Sequence, residues 1–438
     1  MTVRERALKM ILEYELEGKF VNLSLSSRSL ATLTESERSF LVYLLYRTVE
    51  NKLRYDYCIS ALTKRQTADI DLNTLCILRL GIAQLEMDSL PAYASVNETV
   101  KLARHKGERA FVNGVLRSAL KLIEGEGLPL PPREKNVARY LSVKYSFPLS
   151  LTKKFISILG EEETEKLYIK FSSPTPTDIT VNTAKISRTG LLKRIKDEGY
   201  CAEFTEYSSL GIRITGKCNP TKLPGFNEGY FFVQDEASML SAEALGTEKG
   251  DTVVDVCACP GGKSFAAAIL AGEEGKVLSF DISDSKLSLI TSSAARLGLN
   301  NVTVCSGDAS VFNPDLCEIA DRVICDCPCS GLGVLWKKPD MRYSVSDRFD
   351  TLPPLQSAII DNASRYVKRG GVMVYSTCTI NPDENERVVE KFLSSHPEFE
   401  AVDFTVGALS SKSGTLTLLP HKHGTDGFFI TKLRKKYD

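Results

Sequence analysis

An acid and two cysteines of this 438-residue chain occupy positions from which they could carry out covalent chemistry. Asp326 and Cys329 belong to the sequence Asp-Cys-Pro-Cys-Ser-Gly, which directly follows the apolar run at residues 322–325. Cys378 comes shortly after a second apolar run, residues 371–375. If both runs are strands of one open α/β sheet, their carboxyl ends lie where such sheets bind ligands. The pattern therefore predicts a pair of thiols beside a carboxylate.

Two thiols and an acid would suit methylation of cytosine at carbon 5, an atom that is barely nucleophilic by itself. A thiolate that adds to carbon 6 makes carbon 5 enamine-like, so that it can take a methyl group from a sulfonium. A base must then remove the carbon-5 proton before the thiolate can leave. The chemistry needs a nucleophilic thiol, an acid near the ring and a group that assists release. Cys378, Asp326 and Cys329 fill these roles in type and number.

Two other interpretations of the cysteines are open. Buried free cysteine is common, so both thiols could be inert core residues. A cysteine in Pro-Cys-Ser-Gly at the end of a strand, however, lies in a turn. A metal site is the weaker alternative, because Cys325, Cys327 and Cys329 alternate along a strand-like segment and should not converge. The four histidines show no ligand spacing either, and we expect no metal.

A glycine-containing turn follows the strand predicted at residues 252–256 and leads into a predicted helix. Its residues are Cys257, Ala258, Cys259, Pro260, Gly261, Gly262 and Lys263. Glycines allow a ligand close to the backbone, and the helix N-terminus offers free N–H groups. Asp281 ends the next predicted strand, where an acid would bind ribose hydroxyls, and Asp308 follows the third. The G-x-G-x-x-G spacing that suits a pyrophosphate is missing, so S-adenosylmethionine is favoured over a nicotinamide cofactor.

The order of the predicted elements indicates a multidomain protein. Residues 1–128 show helical spacing of apolar residues and predict an all-α bundle, with a capping box from Thr34 to Glu37. Residues 129–234 contain proline-rich breaks, linker helices and a small α+β, RRM-like insert. Residues 235–438 alternate apolar strands with helices, which predicts an α/β, Rossmann-like domain with a mostly parallel, doubly wound sheet.

Composition limits the class of protein but does not reveal a partner. Lys plus Arg and Asp plus Glu both number 55, so bulk charge gives no indication of nucleic-acid binding. We find neither a signal peptide nor an apolar run of roughly 18 residues that could span a membrane. The twelve cysteines are then expected to be reduced thiols. We expect a cytoplasmic monomer that does not contact membranes.

The motifs of the chain resemble those of bacterial RNA cytosine-5 methyltransferases of the Sun class, and within it the RsmB (Sun/Fmu) family, which modifies 16S ribosomal RNA. The resembling segments are residues 232–238, 260–263, 307–309, 328–331, 376–378 and 426–429, with Asp281. Residues 111–117 resemble the NusB-like RNA-binding domain that this family carries.

The resemblance implies the roles of individual residues. It makes Cys378 the nucleophile that bonds to carbon 6 and Cys329 the residue that promotes release. It also implies that residues 257–263, Asp281, Asp308 and Asp326 contact S-adenosylmethionine, with Asp326 also facing the base. The implied partner is 16S rRNA, free or in early small-subunit particles.

Some positions depart from the family pattern. Cys259 and Cys327 stand where family members usually carry a small residue that is not a thiol. Residues 335–338, Leu-Trp-Lys-Lys, replace a more arginine-rich run. A tryptophan often found shortly after residues 145–148 is absent. The departures do not touch the predicted chemistry.

RNA around a flipped base needs positive charge and stacking surfaces. Lys337, Lys338 and Arg342, with Trp336 and Tyr343 between them, could supply both. A second basic cluster near the C-terminus, at residues 432–436, is better interpreted as a solvated tail.

Two other functions stay open at this point. One is the same chemistry on transfer RNA. The other is a ribosome-assembly or antitermination factor that binds RNA without catalysis, for which two thiols at strand ends would have no use.

Overall fold

The computed structural model describes residues 1–18, 32–216, 218–344 and 348–437. The chain divides into two units. The first comprises Met1–Ser172 and Lys337–Ser346, and the second comprises Ser173–Trp336 and Asp347–Asp438. The helices at residues 137–171, which we predicted as linkers of a middle domain, therefore belong to the first unit. No described helix is both long enough and apolar enough to cross a membrane.

The described part of the first unit is built from helices, as the spacing of its apolar residues predicts. The predicted capping box is present at the start of the helix Glu35–Glu50: the Thr34 hydroxyl accepts from the Glu37 N–H, and the Glu37 carboxylate accepts from the Thr34 N–H. The helices are α1 (Val3–Glu17), α2 (Glu35–Glu50), α3 (Lys52–Thr63), α4 (Leu72–Leu85), α5 (Ala92–Val100), α6 (Lys106–Glu124), α7 (Val137–Lys144), α8 (Leu149–Leu159) and α9 (Glu161–Phe171), with 3-10 turns at Thr67–Asp69 and Pro339–Tyr343.

Helix α4 lies at the centre of this bundle. Every residue from Thr74 to Leu85 is buried, as expected of a helix that is surrounded by others. The predicted apolar stripe of α6 is also buried, with Val112, Leu116 and Ala119 inaccessible to solvent.

The second unit begins with a small antiparallel sheet of four strands, which lie in the order β2 (Ala202–Phe204), β3 (Gly211–Ile214), β1 (Thr177–Val181) and β4 (Phe231–Val233). Leu191 and Ile195 of the helix Arg188–Asp197 pack on the apolar side chains of this sheet. This confirms the predicted α+β fold of the segment. Its elements are β1 (Thr177–Val181), α10 (Arg188–Asp197), β2 (Ala202–Phe204), β3 (Gly211–Ile214), the 3-10 turn Pro220–Lys222 and β4 (Phe231–Val233).

The remainder of the second unit surrounds a sheet of eight strands. Its helices are α11 (Glu236–Leu245), α12 (Gly262–Ala271), α13 (Asp284–Leu297), α14 (Leu352–Ser364), α15 (Glu386–Ser395) and α16 (Pro420–His423), with a 3-10 turn at Pro314–Leu316. Its strands are β5 (Thr252–Asp255), β6 (Lys276–Asp281), β7 (Val302–Ser306), β8 (Ala320–Asp326), β9 (Val367–Thr377), β10 (Phe399–Ala401), β13 (Thr415–Leu418) and β14 (Phe428–Lys435), and β11 (Thr405–Val406) pairs with β12 (Leu409–Ser410) as a separate ribbon.

The order of the large sheet creates the crevice that α/β sheets use for ligands. The strands lie in the order β10-β14-β9-β8-β5-β6-β7, and β13 pairs with β14. Strands β5 to β9 are parallel, whereas β14 runs antiparallel to β9. From β5 the chain proceeds to one side, through β6 and β7, and then returns to the other side as β8 and β9. Ligands bind at such a reversal of strand order. The predicted Rossmann-like sheet is thus confirmed.

Burial of Arg342, in the basic segment after Trp336, corrects one expectation. Arg342 is only 2% exposed; its guanidinium lies 4.1 Å from the centre of the Phe147 ring and 3.6 Å from the Glu50 carboxylate. RNA cannot reach a side chain in this position, so Arg342 is a structural residue and not an RNA contact. Trp336 is also buried, and its indole N–H donates to Asp426 over 2.6 Å. Sequence alone showed the charge and the aromatic rings but not their burial.

Tyr343 is tied to the same bundle through its hydroxyl. This oxygen lies 2.9 Å from the Val49 carbonyl and 3.3 Å from the Ser146 carbonyl, and 3.1 Å from the Ser146 hydroxyl.

We predict that Tyr343→Phe lowers the free energy of unfolding of this unit by about 1–3 kcal/mol, because buried acceptors lose their donor. Urea titrations in which hydrogen exchange of the α2 and α7 amides is the readout would measure the loss of stability. Tyr93→Phe, at a side chain that is 71% exposed, is the matched control. Equal exchange protection in the two variants would contradict the prediction.

Candidate active site

Asp326, the last residue of β8, has both carboxylate oxygens engaged. Lys263 of α12 donates to Oδ2 over 2.7 Å, and the Ser376 hydroxyl at the end of β9 donates to Oδ1 over 2.7 Å. The Lys263 side chain is 9% exposed and that of Asp326 is 30% exposed. The ammonium also lies 5.0 Å from the centre of the Phe428 ring. The carboxylate is therefore fixed in direction but still reachable from the crevice.

The two predicted thiols meet. Strands β8 and β9 are parallel neighbours, with Asp326 opposite Ser376, so the chain leaves both strands at the same edge. The sulfur atoms of Cys329 and Cys378 lie 3.1 Å apart, and both residues are partly exposed free thiols. The hydrogen bond to Cys378, together with loss of hydration, holds the pKa of Cys329 well above its usual range. This raised pKa favours the protonated form of Cys329, which can donate a hydrogen bond to the sulfur of Cys378.

Backbone contacts hold the loops around this thiol pair. The Gly333 N–H donates to the Cys378 carbonyl over 3.0 Å, and the Gly427 N–H donates to the Gly333 carbonyl over 3.0 Å. A Cβ atom at Gly333 would overlap the Gly427 carbonyl oxygen. Glycine is therefore required where the two backbones touch. Backbone hydrogen bonds thus link the segments that carry Cys378, Gly333 and Gly427.

The turn after β5 leads, as predicted, into the first residues of α12. Gly261 has φ +106°, which L side chains rarely adopt, and the ring of Phe265 occupies the place where a Cβ would lie. The Cys259 N–H donates to Asp281 Oδ2 over 3.2 Å, and the Ser283 N–H donates to Oδ1 over 3.0 Å. The turn and the acid at the end of β6 are thus adjacent.

A cavity of about 340 Å³ lies beside the end of β7. Asp308 lines it, together with apolar side chains that include Val256, Phe280 and Phe312. Asp308 Oδ1 accepts from the N–H and the hydroxyl of Ser310, over 2.8 and 2.7 Å. An apolar cavity with one oriented carboxylate has the chemistry that a purine ring needs.

Two family models match the chain: the 16S rRNA methyltransferase RsmB/F family over residues 242–434 and the NusB family over residues 1–121. The probable ribosomal RNA small subunit methyltransferase B of Bacillus subtilis is 35% identical over 449 residues, which cover 99% of either chain. The chain belongs to the RsmB/F family of methyltransferases. Synechocystis has a relative of the same name that is also 35% identical, over 92% of each chain. The fold, the enzyme class and the family expected from the motifs are thereby confirmed.

Solved structures agree with this assignment. The crystal structure of PH0851 is similar over 98% of this chain and 99% of its own, with a TM-score of 0.79 and 26% identity. NSun6 from Pyrococcus horikoshii, solved with SFG, is similar over 67% of this chain and 99% of its own, with a TM-score of 0.60 and 25% identity.

Cys325 and Cys327 lie close together, although we expected their spacing to keep them from converging. Residues two apart along a strand lie on the same face, and the two sulfur atoms are buried and 3.6 Å apart. Strand β8 ends at Asp326, between the two cysteines. Burial and the hydrogen bond to Cys325 raise the pKa of Cys327. Among the described residues, no group of three or more His, Cys, Asp or Glu side chains is arranged to hold a metal ion.

Sequence reasoning missed Ser376 and Asp255. Ser376 is a polar residue near the end of an apolar strand, which was the signal available in the sequence. Asp255 ends β5 and is buried; its Oδ2 accepts from the Ser264 hydroxyl over 2.6 Å and its Oδ1 from the Cys257 N–H over 3.3 Å. Burial raises the pKa of Asp255 to about 7, and the nearby charge of Asp326 acts in the same direction.

This raised pKa predicts how stability depends on pH. An unfolded aspartate ionises near its ordinary pKa of about 3.9, whereas folded Asp255 ionises at about 7. Between these values the folded state holds a proton that the unfolded state has released, so stability falls as pH rises. In Asp255→Asn this fall should be absent, so the variant gains stability relative to wild type from about pH 4 to about pH 7.

Urea midpoints at a series of pH values would test this expectation. Asp197→Asn, at an exposed carboxylate of α10, is the control and should show no such trend. A constant difference between Asp255→Asn and wild type across the window would contradict the assigned pKa.

Proposed function

We propose that the protein transfers a methyl group from S-adenosylmethionine to carbon 5 of a cytosine in 16S ribosomal RNA. The observation that carries this proposal is the pair of thiols 3.1 Å apart, at the same sheet edge as a fixed carboxylate. The proposed reaction must first form a sulfur–carbon bond and then break it. A second thiol at hydrogen-bond distance from the nucleophile can assist the second of these steps. Membership of the RsmB/F family supports the substrate.

Cys378 would act as the nucleophile. Its thiolate adds to carbon 6, and the electron pair of the carbon 5–carbon 6 double bond moves into the ring. A proton from water would neutralise this charge at ring nitrogen 3 and return to water when the adduct breaks, and the Asp326 carboxylate would accept the hydrogen bond from that N–H. The ion pair with Lys263 and the bond from Ser376 keep the carboxylate in place for this contact.

The cofactor supplies an electrophilic methyl group on a sulfonium sulfur, which becomes a neutral thioether when the methyl group has left. The turn at residues 257–263 and Asp281 would hold its amino-acid and ribose parts, and Asp308 would face its adenine. Release follows when the carbon-5 proton passes to water and the carbon 6–sulfur bond breaks. Cys378 then departs as a thiolate, and the Cys329 thiol donates a hydrogen bond to it.

The match of residues 1–121 to the NusB family supports binding of ribosomal RNA by the helical unit. Lys337 and Lys338 stay candidates for RNA contact, and Lys338 is exposed. We further propose that the protein acts as a monomer and that it acts in the cytoplasm. Transfer RNA is the alternative substrate and is distinguished by the RNA recovered in the following experiment.

Cys329→Ala should accumulate the covalent adduct, because the departing thiolate loses its hydrogen-bond donor. The variant is incubated with S-adenosylmethionine and unmodified RNA, denatured, and the RNA that stays bound is sequenced. We expect one 16S rRNA segment, and no adduct in Cys329→Ala/Cys378→Ala.

Cys378→Ala alone should methylate nothing but still bind the cofactor. Cys317→Ala, at an exposed thiol, is the control for the substitution and should behave as wild type. A non-catalytic RNA-binding protein would give no adduct in any variant, and recovery of transfer RNA would change the substrate.

A further inference from the structure

Glu384 is a buried carboxylate that the reaction described above does not use. Its side chain is inaccessible to solvent, in a loop after β9 that sequence reasoning passed over. Its two oxygens accept four hydrogen bonds: from the N–H and hydroxyl of Ser330, over 2.7 and 2.6 Å, from Gln356 Nε2 over 3.1 Å, and from Asn381 Nδ2 over 2.9 Å. A buried carboxylate is costly unless donors satisfy it. The arrangement is therefore a built one, in which all four donors converge on one acid.

The first target of Glu384 is the loop that carries Cys329. Ser330 directly follows Cys329, and both its backbone N–H and its side chain bind the carboxylate. Gln356 extends the link, since the same Nε2 that donates to Glu384 also lies 2.8 Å from the Pro328 carbonyl. The residues on either side of Cys329 are thus held by contacts that converge on Glu384.

The second target is the loop that carries Cys378. The Ser330 hydroxyl lies 2.8 Å from that of Thr379; because Ser330 donates its proton to Glu384, Thr379 must be the donor in this pair. The neighbouring Asn385 accepts from the Thr377 hydroxyl over 2.6 Å and donates to the Thr379 carbonyl over 3.0 Å. The residues before and after Cys378 are therefore fixed by the same short segment that fixes Cys329.

We propose that Glu384 is a positioning residue that sets Cys329 at hydrogen-bond distance from Cys378 and thereby controls release of the covalent adduct. The proposal rests on the proposed function, because it concerns the step in which Cys378 departs. Glu384 touches neither reacting thiol through its hydrogen bonds. It acts through Ser330 and the Thr379 hydroxyl.

The charge of Glu384 also favours the protonated form of Cys329. The groups that act on this thiol are Cys378 and Glu384, which raise its pKa, and the Gly331 N–H, which lowers it. Tyr375 of β9 also faces Cys329 and Glu384; burial raises its own pKa most, and the charges of nearby cysteines and of Glu384 act in the same direction. Without the negative charge of Glu384, Cys329 would lose its proton at a lower pH. Since release needs the protonated thiol, its alkaline limit should move to lower pH.

Glu384→Gln tests the proposal, because glutamine keeps the shape of the side chain but removes its negative charge. The substitution also replaces one carboxylate oxygen with an NH2 group, which cannot accept the hydrogen bonds that reach that oxygen. We expect it to form the adduct at the wild-type rate and to release it roughly tenfold or more slowly, with the alkaline limb of release at lower pH. Adduct formation and release are measured separately in single turnover, by denaturing gels and by methyl incorporation, across the neutral and alkaline range. Glu384→Gln/Cys329→Ala should be no slower than Cys329→Ala, because both changes affect one step.

Two further variants complete the experiment. Glu390→Gln, the same change at an exposed site on α15, should match wild type. Ser330→Ala removes the hydroxyl links to Glu384 and Thr379 but keeps the N–H bond, and it should also slow release if Glu384→Gln fails to fold.

The outcomes separate the two proposals. Suppose that Glu384→Gln and Ser330→Ala both release the adduct at the wild-type rate while Cys329→Ala still traps it. This result would overturn the role of Glu384 and leave the proposed function standing. Joint loss of cofactor binding and adduct formation in folded Glu384→Gln would show a purely structural role and would also overturn it. Absence of trapping by Cys329→Ala and of methylation by wild type would overturn the proposed function and, with it, this inference.

Discussion

The pairing of β8 with β9 is the constraint on which the active site depends. Two parallel strands in fixed register place their carboxyl ends side by side, so that Asp326 lies opposite Ser376 and accepts its hydrogen bond. The chain then needs only three residues to reach Cys329 and two to reach Cys378. A shift of one residue in this register would turn the side chains to the other face of the sheet and separate the acid from both thiols.

Buried polar groups fix the geometry that the strand pairing makes possible. Lys263 and Ser376 orient Asp326, and Glu384 with its four donors orients the loops beyond the strands. Each of these groups would be costly to bury alone, because loss of hydration is repaid only by well-placed partners. The same constraint makes the arrangement specific, since an alternative loop conformation would leave a buried donor or acceptor without its partner.

The segment after Trp336 shows that a basic and aromatic composition does not by itself distinguish a surface from a buried contact. It begins next to the catalytic loop, where Trp336 is anchored by Asp426, and it continues into the helical unit, where Arg342 and Tyr343 are buried. A basic and aromatic stretch has the composition of an RNA-binding surface, yet the same side chains suit a buried contact. Arginine stacks on aromatic rings, and the tyrosine hydroxyl satisfies carbonyl groups.

Local sequence was sufficient for the elements and for the identity of the reactive groups. The apolar runs at residues 252–256 and before Asp281 and Asp326 predicted the strands of a doubly wound sheet, since period and length are local properties. The glycine turn, the two cysteines and their neighbours predicted the family, which the comparisons bear out. The roles of the individual cysteines stay predictions.

Only the tertiary structure decided which polar side chains share a site. Glu384 is 54 residues from Ser330, and Lys263 is 63 residues from Asp326; no spacing in the sequence marks either contact. Burial was equally hidden, because the exposure of Arg342 and the raised pKa of Asp255 depend on elements that are distant in the chain. The sequence by itself determined the strands and the chemical groups at their ends. The packing of those strands determined the distances between the groups, because these distances arise from long-range pairing and not from local conformation.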